Sequence, residues 1–145
     1  MKYVVTGGAG FIGSNIVKKL VARGDSVTVI DNLNTGKEEN LELIRKKISF
    51  INDSILNIDL LEKETQGIDG VFHQAALASV QDSFSKPEEY HNVNVNGTEN
   101  ILKLAKKIIS KLCMQVHQAF TEIQKKFQLM KKIVKIQLTH MQKQN

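Results

Sequence analysis

The chain opens on a short apolar, β-branched run from Lys2 to Thr6 that ends in glycines, the pattern of a buried strand. Helical spacing follows from Phe11 to Arg23, with Ile12, Ile16, Val17, Leu20 and Val21 on one face and Gly24 placed as a C-terminal cap. Ser26 to Ile30 predicts a second strand, closed by Asp31. Leu41 to Lys47 reads as a short helix, Ile48 to Ile51 as a third strand and Leu56 to Glu64 as a further helical stretch. A Gly67-Ile68-Asp69 turn then leads into a fourth strand, Gly70 to His73. From Pro87, suited to the first turn of a helix, the pattern stays helical to about Lys107. Strands alternating with helices at this pitch imply βαβ units and a parallel sheet of about four strands.

Beyond Lys107 the character changes. Residues 108–145 contain no Gly, Pro or Asp, but seven Gln and seven Lys. A doubly wound domain should continue with a fifth strand, and the pattern offers none. Instead Val116, Phe120, Ile123, Phe127, Met130 and Val134 recur at 4-3-4-3-4 spacing, the stripe of an amphipathic helix. The expected organisation is therefore a half-domain, 1–107, followed by a basic helical tail, 108–145.

Charge follows the same division. Residues 1–107 hold 13 Lys and Arg against 14 Asp and Glu, whereas residues 108–145 hold seven Lys against one acid, Glu122. The net charge of +5 describes the tail rather than the domain, which argues against a nucleic-acid-binding protein. No apolar run approaches the roughly 20 residues of a membrane span, and Thr6, Gly7 and Gly8 interrupt any signal-like stretch. No membrane partner is expected. A single cysteine, Cys113, excludes an intrachain disulfide and fits a reducing cytoplasm.

The chemistry lies in Thr6-Gly7-Gly8-Ala9-Gly10-Phe11-Ile12-Gly13, between the first strand and the first helix. The spacing Gly7-x-x-Gly10-x-x-Gly13 is a dinucleotide-binding fingerprint and makes the predicted sheet Rossmann-like. Gly7 permits the tight turn, Gly10 lets backbone approach a pyrophosphate, and Gly13 allows close packing of the helix. The phosphates would meet free N–H groups at the helix N-terminus, where its partial positive charge helps. Asp31 stands 18 residues after Gly13. A carboxylate there accepts hydrogen bonds from ribose hydroxyls and repels a 2′-phosphate, favouring NAD over NADP.

Four motifs occur in order: TGGAGFIGSN from Thr6, Asp31 to Gly36, His73-Gln74-Ala75-Ala76, and Asn94-Val95-Asn96-Gly97-Thr98. Together they resemble the extended short-chain dehydrogenase/reductase family, within it the NAD-dependent nucleotide-sugar epimerases and most nearly the UDP-glucose 4-epimerase group, over residues 1 to about 107. The resemblance implies NAD as cofactor, a UDP-sugar as substrate of the intact protein, and homodimers. It also implies that Gly7, Gly10, Phe11, Ile12 and Gly13 hold the diphosphate, and that Asp31, Asn32, Asn34, Thr35 and Gly36 wrap the adenosine ribose. Asp53 and Ser54 would flank the adenine. Gln74, Ala75 and Ala76 would line the pyrophosphate and nicotinamide ribose, with Asn94 beside them. His73 is expected to be a packed strand-end residue rather than a catalyst. Tyr90 and His91 would only approach the dinucleotide side.

The family's chemistry uses a Tyr-x-x-x-Lys pair and a Ser or Thr after the fifth strand. Neither Tyr3 nor Tyr90 has Lys four positions on, so no catalytic residue and no metal ligand can be named. The tail suggests a reason. Cys113 to Glu122 can be back-translated so that the neighbouring reading frame spells Tyr-Ala-Ser-Ser-Ser-Ser-Val-Tyr-Gly. Leu138 to Gln144 likewise yields Asn-Pro-Tyr-Ala-Glu-Thr-Lys. Both alanines are forced, because Met114-Gln115 and Met141-Gln142 each spell GCA when shifted. The expectation is a frameshift near Lys106–Ile108 followed by an early stop, leaving an inactive chain with an exposed edge on its fourth strand. The alternative is an evolved basic helix that docks on a partner.

Overall fold

Among the described residues, five strands alternate with helices, and all of them enter one sheet. The structure, a computed structural model, describes residues 1–108 and 112–114. The elements are β1 (Lys2–Thr6), α1 (Phe11–Ala22), β2 (Ser26–Ile30), a 3₁₀ helix (Glu38–Lys47), β3 (Ser49–Ile51), α2 (Ile58–Glu64), β4 (Gly70–His73), α3 (Val80–Ser85), α4 (Pro87–His91), a π-helical turn (Asn92–Gly97), α5 (Thr98–Ile108) and β5 (Leu112–Met114). The strand order is β3-β2-β1-β4-β5, with every pairing parallel. This is a doubly wound α/β sheet, and the order reverses between β1 and β4.

Alternation along β1 divides the core into two layers, because successive side chains point to opposite faces. Tyr3 and Val5 pack with Val17 and Leu20 of α1, with Val27 and Val29 of β2, and with Leu41. Val4, Ile30 and Val71 face the other way, onto Leu61 of α2, Ile101 and Leu104 of α5, and Ile55. Helices thus cover both faces of a sheet whose central strands are largely apolar, as parallel sheets favour.

The expected absence of a fifth strand is corrected. Leu112, Cys113 and Met114 pair with Val71, Phe72 and His73, so β5 covers the edge of β4 that was expected to be bare. The compact unit runs from Met1 to Gln115. The other differences are local. The helical stretch expected from Leu56 begins at Ile58 because the Asn57 side chain caps it, accepting from Leu60 N–H at 3.2 Å. The long helix expected after Pro87 is interrupted by the π-helical turn, and α3 was not anticipated. The apolar stripe from Val116 to Val134 lies outside the described residues. Among the described residues, no helix is long and apolar enough to cross a membrane.

Candidate functional site

A cleft opens at the carboxyl ends of β1, β2 and β4, where ligands bind open α/β sheets because the strand order reverses there. Its floor is the glycine loop. Gly7 has φ +68°, the left-handed region that favours glycine. A Cβ on Gly7 would lie 2.5 Å from Ala75 N and 2.6 Å from the Gln74 carbonyl carbon, so loop and β4 end touch backbone to backbone. A Cβ on Gly13 would meet the Gly7 carbonyl oxygen and lie 2.8 Å from Gly8 Cα. Gly10 is different: its Cβ position meets only Gly7 O, at 3.3 Å. It leaves the mouth of the loop open. No side chain caps the N-terminus of α1, and its first turn holds no acid. Those N–H groups have no partner within the helix, so an anion is favoured there.

Asp31 directly follows β2 and is 7% exposed. Its Oδ2 accepts from Ala9 N–H and its Oδ1 from Leu33 N–H, both at 2.8 Å. The carboxylate thus welds the glycine loop to the next turn, and its remaining lone pairs are free in principle for hydroxyl donors. Leu33 sits at φ +58°, a conformation costly for a branched side chain and sustained by this bond. Gly36 packs on the glycine loop: its Cβ position lies 2.9 Å from Ala9 Cβ and 3.1 Å from Asp31 Oδ1. Lys37 N–H and Asn40 Nδ2 donate to the Ala9 carbonyl at 3.0 and 2.7 Å.

The structure brings most of the sequence-predicted residues to one place. Gly7 and Gly10, Asp31 and Asn32, Asn34 to Gly36, Ser54, and Gln74 to Ala76 all line the cleft. Phe11, Ile12, Gly13, Asp53 and Asn94 do not. The Phe11 and Ile12 side chains are exposed, so only their backbone can serve the loop. Asp53 turns to its own segment, accepting from Ser54 N–H at 2.6 Å and Asn57 Nδ2 at 3.0 Å. Asn94 bonds the backbone of Leu77. Ile55, Leu77 and Val93 line the cleft but were missed. Ile55 and Leu77 directly follow predicted residues, so adjacency was a usable signal. Val93 directly precedes the predicted Asn94, and the π-helical turn brings it to the cleft.

His73 is 4% exposed and bridges two hydroxyls, with Thr6 Oγ1 2.6 Å from Nδ1 and Thr98 Oγ1 3.1 Å from Nε2. Burial pushes its pKa down to about 4. A neutral ring with both nitrogens engaged is a structural bridge, as expected.

Residues 3–123 match the NAD dependent epimerase/dehydratase family. The chain belongs to that family. It is 44% identical over 105 residues to a putative UDP-glucose 4-epimerase of Methanocaldococcus jannaschii, covering 72% of this chain and 33% of that protein. It is 41% identical over 108 residues to UDP-glucuronic acid decarboxylase 1 of Arabidopsis thaliana, covering 74% and 24%. Among solved structures, the UDP-glucose 4-epimerase of Thermus thermophilus in complex with NAD aligns with a TM-score of 0.65 and 40% identity, covering 74% of this chain and 34% of that one. The chain therefore spans a quarter to a third of the length of these relatives. Family membership accounts for the parallel sheet and the glycine loop together, and NAD is the cofactor of the family.

Proposed function

We propose that the chain binds NAD in this cleft as the cofactor-binding part of an enzyme acting on a UDP-sugar, with inversion at a sugar carbon as the reaction. The observation that carries the reading is the convergence, at the strand-order reversal, of an open glycine loop, an uncapped helix N-terminus and Asp31. These groups fit a dinucleotide. Backbone N–H groups of Phe11 and Ile12 suit the diphosphate, Asp31 and the Asn32–Gly36 turn suit the adenosine ribose, and Ser54 and Ile55 suit the adenine. Gln74 to Leu77 suit the nicotinamide side. Bound NAD supplies a carbon that accepts and returns a hydride. Everything else asked of this chain is binding and orientation.

The 145 residues contain no Tyr-x-x-x-Lys. Tyr3 and Tyr90 are both buried, in β1 and α4. Calorimetric titration of the 145-residue chain is expected to show NAD binding, with NADP at least about tenfold weaker because Asp31 repels a 2′-phosphate. Equal affinities would show that Asp31 does not select against the phosphate. The same chain is expected to leave UDP-glucose unchanged in a coupled epimerase assay, and turnover proportional to protein would overturn its inactivity.

The likeness to a UDP-glucuronic acid decarboxylase supports a second reading, in which the intact enzyme decarboxylates a UDP-uronic acid. Offering UDP-glucose and UDP-glucuronate to the in-frame, full-length product separates the two. That product is the natural object if residues 108–145 arise from a frameshift, as the back-translated serine-rich and Tyr-x-x-x-Lys strings support. Sequencing the coding DNA onward from the Asn100 codon tests it. A neighbouring frame that stays open through both strings is expected. A closed frame would leave the basic tail as a genuine partner-binding helix.

A further inference from the structure

Asn94 lies in the π-helical turn, between α4 and α5, and its side-chain amide forms a closed pair with one residue's backbone. Nδ2 donates to the Leu77 carbonyl at 2.9 Å, and Oδ1 accepts from Leu77 N–H at 2.8 Å. Leu77 is 8% exposed and is the last cleft-lining residue of the wall that begins at Gln74. That wall is held at its other end by β1: Gln74 N–H donates to the Thr6 carbonyl at 2.9 Å. The same helical segment is also anchored to the opposite wall. A Cβ on Gly97 would lie 2.5 Å from Ile55 Cδ1, and Asn100 Nδ2 donates to the Ile55 carbonyl at 3.2 Å. Residues 92–100 therefore strap one wall of the cleft to the other, and Asn94 is the strap's bond to the Gln74–Leu77 side. The wider winding of a π-helical turn re-aims side chains and recurs at functional sites. Here it brings Val93 to the cleft lining and Asn94 to Leu77.

We propose that Asn94 is a positioning residue for the dinucleotide: it fixes the Gln74–Leu77 wall through Leu77 instead of touching the ligand. The inference rests on the NAD reading above. Asp31 and Ser54 lie at the ends of β2 and β3, and Gln74–Leu77 at the end of β4, on opposite sides of the glycine loop. A dinucleotide laid across the loop with its adenosine by Asp31 puts its nicotinamide half against the wall Asn94 holds. ADP, which ends at the diphosphate, meets that wall only at its Gln74–Ala75 end, beside Gly7, and lacks the half that lies along Leu77. Without the clamp, the Leu77 N–H and carbonyl lose their partners and the wall must be ordered at the moment of binding. The loss therefore falls on ligands that lie along Leu77.

The test is calorimetric titration of NAD and of ADP into the wild-type chain, Asn94→Ala and Asn94→Asp, with exchange of the Leu77 amide followed by mass spectrometry or NMR. Asn94→Asp keeps the size and the acceptor but sets a carboxylate against the Leu77 carbonyl, so it guards against a void in Asn94→Ala. In both variants NAD affinity is expected to fall about tenfold, the weight of one or two hydrogen bonds, with ADP affinity held within about twofold. Leu77 amide exchange should accelerate in both even without ligand. Unchanged NAD affinity, equal loss of NAD and ADP, or an unchanged Leu77 amide would each overturn the assignment. A wild-type chain that binds neither nucleotide would instead sink the NAD reading on which the assignment rests.

Discussion

Alanine at position 13 is expected to cost the fold about 3 kcal/mol and to abolish measurable NAD binding, although alanine is the better helix former. In an unconstrained helix interior, Gly→Ala gains about 1 kcal/mol. At Gly13 the new methyl would overlap the Gly7 carbonyl oxygen and lie 2.8 Å from Gly8 Cα. Both neighbours are backbone, so no rotamer change relieves the contact. Either α1 lifts from the loop or the loop moves. Moving the loop drives Gly7 into Ala75, where the backbones are already in contact. Gly24 is the control. Unlike Gly13 it has a positive φ, +84°, and nothing lies within 4 Å of its Cβ position. Gly24→Ala should cost about 1 kcal/mol, the strain of a left-handed alanine alone, and leave NAD affinity unchanged. Urea unfolding and NAD titration of the two variants separate the effects. A Gly13→Ala chain as stable as Gly24→Ala, with NAD affinity intact, would show that α1 does not depend on contact with the glycine loop.

The glycines also show how far the site was legible in the sequence. Gly7 and Gly10 sit where the fingerprint spacing assigns them, because a backbone-to-backbone approach leaves a residue-type signature. The fingerprint assigns Gly13 to packing helix on sheet. It packs helix on glycine loop, and the glycine against the sheet is Gly8, whose Cβ would lie 2.7 Å from Val29 Cγ1. The four long-patterned strands were legible because their apolar runs are bounded by turns. β5 was not. Leu112–Met114 is as short as β3, but no Gly or Pro turn bounds it and it sits among lysines and glutamines. Pairing with β4, a tertiary effect, decides it. The role expected of Asp53 met competition from its own turn, since a carboxylate four residues before Asn57 can bond locally. α3 has a Ser79 cap on Asp82 N–H, at 3.3 Å, but no buried face, so no amphipathic pattern announced it.

Acid is expected to weaken this fold through His73 well before the carboxylates protonate. The ring is buried between Thr6 and Thr98, and burial holds its pKa near 4 against an ordinary 6.5. Its hydrogen bonds do not oppose protonation, because both threonine hydroxyls can turn to accept. The penalty is desolvation of an imidazolium beside β1 and β4. Between pH 6.5 and 4 the unfolded chain binds the proton and the folded chain does not, so stability falls as pH falls through that window. Below about 4 both states are protonated and the contribution levels off. The full loss corresponds to roughly 3 kcal/mol, at about 1.4 kcal/mol per unit of pKa difference. Urea midpoints measured from about pH 7.5 to about pH 4.5 should therefore decline in the wild type. His73→Leu should be less stable at about pH 7.5, since Thr6 and Thr98 lose their bridge, yet show a flatter pH profile. A wild-type profile that is flat over this window, or a His73→Leu profile just as steep, would place the acid response on another group. Although Gln74 and Ala75 follow His73 directly along one wall of the cleft, the folded ring stays neutral until about pH 4, so the NAD affinity of the folded chain should hold across this window.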